Sequence, residues 1–182
     1  DGATGELCAA LAAEDPIRIC VVRQANAGAG PARERGRREA RGEFIQYLDS
    51  DDRLLPNAFA DHVAALRAQP DADIAYGVTR LIDAEGRVLC DPFKWTGRRI
   101  DRLFPKLLVD RWWCTSSPLY RRTLTDRLGA WINLPQSEDW EYDGRAGALG
   151  ARLAPTGTTV SEMRTHGGPR LTGGRKWLAP RD

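Results

Sequence analysis

The stretch Phe44-Ile45-Gln46-Tyr47-Leu48-Asp49-Ser50-Asp51-Asp52 constrains the chain more than any other. A β-forming apolar run stops at three carboxylates within four residues. Like charges that close repel, so the turn belongs at the end of a strand where a cation or water can reach it, not inside a core. In an open α/β sheet, ligands collect at the carboxyl ends of strands. Two carboxylates one residue apart can reach a single hard cation from one turn, leaving positions for water and phosphate oxygens. The same acids also suit a plainer use, a polar strand end in which Asp52 caps the helix that starts at Pro56.

The flanking pattern places this turn in an α/β layout. Thr4 can cap a helix running through Ala13 with Leu7 and Leu11 on one face, and Ile17–Val22 is a β-branched, strand-like run. Pro31 suits the first turn of a helix that reaches Arg41, and Gly42 ends it before the strand Glu43–Leu48. Phe59, Val63 and Leu66 recur at helical spacing after Pro56. Residues 73–82 form the next strand, and Asp83-Ala84-Glu85-Gly86 turns it into a hairpin. Helix and strand thus alternate, which predicts a layered α/β sheet, mostly parallel in this half. Residues 91–113 are irregular and rich in Arg and Trp, with a short helix within 100–109. A strand over 114–122, a helix ending at Gly129, a helix capped by Ser137 and stopped near Gly150, and a last strand near Arg152 complete the expectation.

The 182 residues are 42% hydrophobic and 29% charged, enough for one domain with an ordinary core. A formal net charge of +2 selects no partner. No run approaches the roughly 18 apolar residues of a membrane span, and no signal peptide opens the sequence, so a cytoplasmic setting is expected. Cys8, Cys20, Cys90 and Cys114 form no CxxC pair and there are only two histidines, which predicts reduced thiols and no structural zinc.

Three further constellations carry chemistry. Asn26 to Gly36 is a Gly-rich loop entering a helix N-terminus, a phosphate cradle without the Walker ending, with Arg33 placed for an anion and Arg37 and Arg41 on a solvated basic face. Glu138 and Asp139 open a helix, whose dipole favours ionised carboxylates in its first turn and would keep a general base ionised. Of Trp140 and Tyr142 beside them, one is expected in the core. His166 sits in a Gly-rich loop where it could approach a metal or a diphosphate, or simply lie exposed. His62, mid-helix, is expected to have no chemical role.

Taken in order, "NAGAGPARERG", "GEFIQYLDSDDRLLPNAF", "SPLYRR", "SEDWEYDGRAGALG" and "RTHGG" resemble the family 2 glycosyltransferases, whose usual run includes N-x-G-x-x-x-A-R-N-x-G, a strand ending L-D-x-D-D and a late E-D-W helix. The resemblance covers essentially the whole chain as a single domain. It implies the GT-A fold, a Rossmann-like layered sandwich with a mostly parallel central sheet, with residues 1–90 binding the nucleotide sugar and 91–182 the acceptor. It further implies an inverting hexosyltransferase of polysaccharide or glycoconjugate synthesis. The donor would be a nucleotide-diphospho-sugar, a UDP-sugar first, and the cofactor Mg²⁺ or Mn²⁺. The acceptor would be a hydroxyl on a glycan, lipid-linked or other molecule.

By that resemblance Asp1 contacts the nucleobase, and Asn26, Gly28 and Arg33 lie about the nucleotide, Arg33 near base or diphosphate. Asp49 meets ribose or metal, Asp51 binds the metal, His166 occupies an Arg-x-His position near it, and Asp139 is the base. The segment that precedes Asp1 in the family, ending P-x-[YF]-N, is expected to lie upstream of this sequence. Glu34 stands where Asn is usual, and a carboxylate there would repel a diphosphate unless it points away. Two other functions compete. One is a non-catalytic or truncated relative that binds nucleotide sugar. The other is a basic nucleic-acid-binding domain using Arg33, Arg35, Arg37, Arg38 and Arg41, although no nucleic-acid motif is present. Trp95, Trp112 and Trp113 admit a contact with the inner face of a membrane if the acceptor is a lipid, but a cover over the acceptor side of the sheet is preferred.

Overall fold

A computed structural model describes residues 2–165. Asp1 and His166 lie outside the described residues. Helix α1 spans Gly2–Glu14, α2 Ala29–Glu39, α3 Ala58–Ala68, α4 Arg122–Leu128 and α5 Glu138–Ala148. The strands are β1 (Phe44–Gln46), β2 (Arg53–Leu54), β3 (Ile74–Ile82), β4 (Val88–Cys90), β5 (Leu119–Arg121) and β6 (Leu153–Arg164). A single 3-10 turn, Lys106–Leu108, interrupts the irregular segment.

The strands form one sheet in the order β1-β5-β3-β6-β2, with β4 hairpinned onto β3. The layered α/β architecture is as expected, but the sheet is mixed rather than mostly parallel. Only β3 and β6 pair in parallel, while β1–β5, β3–β5, β3–β4 and β2–β6 are antiparallel. Strand β2, directly before α3, opposes β3, whereas β1 and β3 are co-directional, as the alternation predicts. What local pattern could not show is that β5, from much later in the chain, is inserted between them in the opposite sense.

Alternation along the strands divides the core. Ile74, Tyr76, Tyr120 and Leu153 face a large aromatic cluster with Tyr47, Trp113, Trp131 and Tyr142, against α4 and α5. Ala75, Leu119 and Ala154 face the other way, onto Leu66 of α3. Trp131 stacks on Tyr142 with centroids 4.0 Å apart, and Tyr47 meets both edge-on. Tyr142 is the core member of the Trp140/Tyr142 pair. Trp140 is half-buried and donates its indole N–H to Leu107 O at 2.8 Å.

Several local expectations change. Ile17–Val22 forms no strand, and Ile17 is 95% exposed. A β-branched run becomes a strand only where a ladder partner exists, and among the described residues no strand offers it one. Thr4 lies inside α1 rather than capping it, and Leu7 and Leu11 remain exposed. In α3 Leu66 is buried as expected and Val63 packs partly buried against the same cluster, but Phe59 is exposed, and the fully buried row is Ala58, His62 and Leu66 at i, i+4 and i+8. Asn57, not Asp52, occupies the N-cap of α3. Ser137 precedes α5 in a left-handed conformation and makes no side-chain cap bond. Trp112 and Trp113 are buried, so of the three tryptophans that admitted a membrane contact only Trp95 is exposed. No described helix is long and apolar enough to cross a membrane, and all four cysteines are free.

Candidate functional site

A cavity of about 1170 Å³ opens where the carboxyl end of β1, the N-terminus of α2 and the N-terminus of α5 converge. Gly28 is the N-cap of α2 at φ +94, a conformation that favours glycine, and no side chain caps the helix. In the first turn Pro31 has no N–H, and it is Ala29 that lines the cavity with no side-chain cap on the helix. Two residues on from Gly28, a Cβ on Gly30 would stand 2.3 Å from Ile132 O, so glycine alone lets α2 sit this close to the segment before α5. Asn26 is exposed, accepts the Gly28 N–H at 3.1 Å and shapes the loop without lining the cavity.

Arg33 spans the cavity. One guanidinium nitrogen donates to Asp49 Oδ1 at 2.7 Å and the other to Glu138 Oε1 at 2.6 Å, while the group lies 5.0 Å from the Trp131 ring centroid. Burial works against its charge, but Asp49 and Glu138 outweigh it and the net shift is upward. Arg33 thus ties the acidic turn after β1 to the first turn of α5. Asp51, on the same turn, also lines the cavity. Asp52 lines it as well, but its carboxylate is engaged, accepting from Ser116 Oγ at 2.7 Å and from Arg164 N at 3.3 Å. Burial raises its carboxyl to about 6, against the Ser116 hydrogen bond and with Asp49 and Asp51 adding to the rise.

Glu34 does not line the cavity. It is held in a bidentate pair with Arg37 at 2.9 and 3.0 Å, takes Arg38 Nε at 2.7 Å, and accepts from Trp131 N at 3.3 Å. The Arg37 hydrogen bonds, opposed by burial and helped by Arg38, bring it down to about 2. Arg37 also reaches Asp126 and is largely buried, so it belongs to no solvated basic face. With Arg35 paired to Glu39, four of the five arginines of this segment are ion-paired within the chain, which leaves little of a basic footprint for nucleic acid.

Asp139 lines the cavity opposite the acidic turn. Its Oδ2 accepts from Arg111 Nη1 at 2.7 Å and Thr115 Oγ1 at 3.0 Å, and its Oδ1 from Trp140 N at 2.8 Å. Burial disfavours its charge, but Arg111 and then Thr115 prevail, and its pKa lies below the ordinary value. One helical turn on, Asp143 is fully buried and accepts from Arg111 Nε at 2.7 Å, Trp113 Nε1 at 3.0 Å and Tyr120 OH at 2.7 Å.

The structure therefore brings Gly28, Arg33, Asp49, Asp51 and Asp139 to one cavity and leaves Asn26 behind the loop. Sequence reasoning passed over Arg111, Thr115, Ser116 and Asp143. Asp143 was detectable as an acid four residues after Asp139 on one helical face. Arg111 sat in a segment without periodicity and carried no signal.

The resemblance implies a divalent cation. Asp49 and Asp51 present hard carboxylate oxygens on the cavity wall, the donor chemistry Mg²⁺ and Mn²⁺ select. Among the described residues no group of three or more acidic, histidine or cysteine side chains could enclose a metal. The fit is to an open site completed by ligand oxygens and water, a common arrangement for Mg²⁺ beside phosphates.

Helices on both faces of a mixed sheet, with a cavity at the carboxyl end of β1, define a GT-A-type α/β domain. S. aureus TarS residues 1–349, solved in complex with UDP-GlcNAc, superposes with a TM-score of 0.70 at 17% identity, covering 94% of this chain and 49% of that one. The family model of glycosyl transferase family 2 matches residues 1–127, and the chain belongs to that family. It is 28% identical over 95 residues to an uncharacterised glycosyltransferase of Methanocaldococcus jannaschii, 51% of this chain and 33% of that protein. To the chondroitin synthase of Escherichia coli it is 33% identical over 78 residues, 43% of this chain and 11% of that one. The chain spans a third or less of the curated relatives it matches.

Proposed function

We propose that this domain transfers a sugar, with inversion, from a nucleoside-diphosphate donor to an acceptor hydroxyl, with Asp139 as general base. The observation that carries the reading is the cavity itself. It places a helix N-terminus without a side-chain cap, an acidic strand-end turn and the partly buried Asp139 carboxylate around one space. The helix N-terminus and Arg33 suit a diphosphate, and residues 1–90 supply that side. Asp139 faces them from the half that would receive the acceptor. A UDP-sugar is the first donor to test, since TarS was solved with UDP-GlcNAc and with UDP.

The reaction balances as a single displacement. Asp139 takes the proton from the acceptor hydroxyl, whose oxygen forms a bond to the anomeric carbon as the bond from that carbon to the diphosphate oxygen breaks. Nucleoside diphosphate leaves, and the configuration at carbon inverts because attack and departure are on opposite faces. A Mg²⁺ or Mn²⁺ held by Asp49 and Asp51 would offset the charge of the leaving diphosphate. Glu34 adds no repulsion, because Arg37 and Arg38 neutralise it outside the cavity.

Asp139→Asn tests the assignment. Calorimetry with UDP-sugar and Mn²⁺ is expected to show donor binding retained, while transfer to acceptor falls at least a hundredfold, the lower end of what a general base contributes. Loss of binding together with transfer would make Asp139 structural. Binding with no turnover in the unsubstituted protein would favour a non-catalytic nucleotide-sugar binder.

A further inference from the structure

Arg111 is 5% exposed and stands between two carboxylates of the same helix, Asp139 at the cavity and Asp143 in the core. Such a cation is costly to bury and is tolerated only where its charge and its donors are matched. Its fork is divided, Nε to Asp143 and Nη1 to Asp139, each at 2.7 Å. Asp143 is itself fixed from three directions, because Trp113 and Tyr120 donate to it along with Arg111. The Nε and Nη1 donors of Arg111 are therefore committed, and its orientation is set from the core side.

We propose that Arg111, anchored by Asp143, is the positioning residue that orients the Asp139 carboxylate and sets its charge. This rests on the reading of Asp139 as the base. A lone buried arginine against Asp139 would hold it as a closed ion pair, the wrong state for accepting a proton. Asp143 divides that charge, so the three groups together carry one net negative charge, and the solvent-facing member of the set is Asp139. The geometry also selects an oxygen. Oδ2 is occupied by Arg111 and Thr115, whereas Oδ1 has only the Trp140 N–H and keeps a lone pair for the acceptor proton.

Other titratable groups face the same space, namely Arg33 and Arg37 from α2, Tyr47, Asp49, Asp51 and Asp52 from the end of β1 and its turn, Glu138 beside Asp139, and Lys94 and Cys114 from the intervening segment. Arg33 is already paired with Asp49 and Glu138 and Arg37 with Glu34, and substitutions at 111 and 143 leave all of these residues in place.

The test compares Arg111→Gln with Asp143→Asn in the full chain. Asp143→Asn can keep the shape of the cluster, since the Asn oxygen can replace Oδ2 toward Arg111 and Trp113 while its NH₂ donates to the Tyr120 oxygen. The readouts are the ¹³C-carboxyl titration of Asp139 in the free protein and the acidic limb of the pH profile of transfer. Donor binding by calorimetry and a thermal melt serve as checks on folding. Removing the cation in Arg111→Gln is expected to move both Asp139 readouts upward by roughly 1–3 pH units, the size of an adjacent opposite charge. Removing the counter-charge in Asp143→Asn is expected to move both downward, with donor affinity unchanged.

Shifts of opposite sign support the proposal. An Asp139 titration unmoved in folded Asp143→Asn overturns it and leaves the cluster a structural one. If Arg111→Gln fails to fold, the Asp143→Asn titration decides alone. A titration that moves as expected while Asp139→Asn still transfers sugar would retain the positioning and discard the base reading.

Discussion

Replacing Gly30 by alanine isolates what holds α2 against the cavity. The added Cβ would lie 2.3 Å from Ile132 O, a backbone atom that cannot swing aside. That is roughly 1 Å inside ordinary van der Waals contact, so either α2 or the 131–133 segment must move. Overpacking of this kind costs about 1–3 kcal/mol. Gly36, on the same helix, is the control, because a Cβ there meets nothing within 4 Å. Gly36→Ala should gain about 0.5–1 kcal/mol from helix propensity and lower unfolded-state entropy. In urea denaturation the two variants should therefore move apart in opposite directions by about 1.5–4 kcal/mol in all. In a thermal scan each kcal/mol should appear as about 2–4 °C for a chain of this size. Donor affinity should weaken in Gly30→Ala, since the displaced α2 N-terminus lines the cavity with Gly28 and Ala29; Gly36 lines the cavity too and serves as a control for stability only. Equal stability of the two variants would refute the close-approach argument.

Three further outcomes follow from the charges. Glu34 is held down to about 2, against roughly 4.3 in an unfolded chain. Its stabilisation is therefore complete above pH ~4.3 and is lost as pH falls toward 2, by up to about 3 kcal/mol. Glu34→Gln should flatten the acid limb of urea stability, and an unchanged limb would remove Glu34 from that role. Burial, opposed by Asp61, pushes His62 down to about 4. Its neutral form thus supports the fold above pH ~6.5, and that support is lost as pH falls to about 4. Asp52, raised to about 6, acts in the opposite direction over part of that range. The difference between wild type and His62→Leu, rather than the wild-type curve, should therefore carry the His62 slope. Asp51→Ala should abolish any increase in donor affinity produced by Mn²⁺ in calorimetry, and an intact increase would sink the metal assignment.

Local features were readable where the residue type itself dictated them. Asp83 and Gly86 close the β3–β4 turn as expected, with Gly86 N–H bonding to Asp83 O and the Arg87 N–H to the Asp83 carboxylate. Glu138 and Asp139 open α5, and the strand before Asp49 is present, although its paired part is only Phe44–Gln46. What failed depended on partners remote in sequence. Ile17–Val22 has strand composition, but composition cannot supply a neighbouring ladder. Asp52 has the spacing of a cap, but Ser116 and Arg164 claim its oxygens from other elements. Arg37 shared a helical face with Arg41, yet Glu34 and Asp126 draw it inward.

The insertion of β5 between β1 and β3 bears on how the chain reaches this state. Ile45 pairs with Tyr120, Ile74 pairs with both Tyr120 and Leu153, and Arg53 pairs with Glu162. Apart from the β3–β4 hairpin, each ladder joins residues far apart in sequence, the pattern that makes loop closure costly and folding slow. Among the described residues, β1 and the acidic turn behind it take their ladder from residues 119–121 alone, which follow α3 and that hairpin in the chain. The segment 1–90 alone is thus not a unit of folding. Expressed alone, it should present an unpaired edge prone to aggregation.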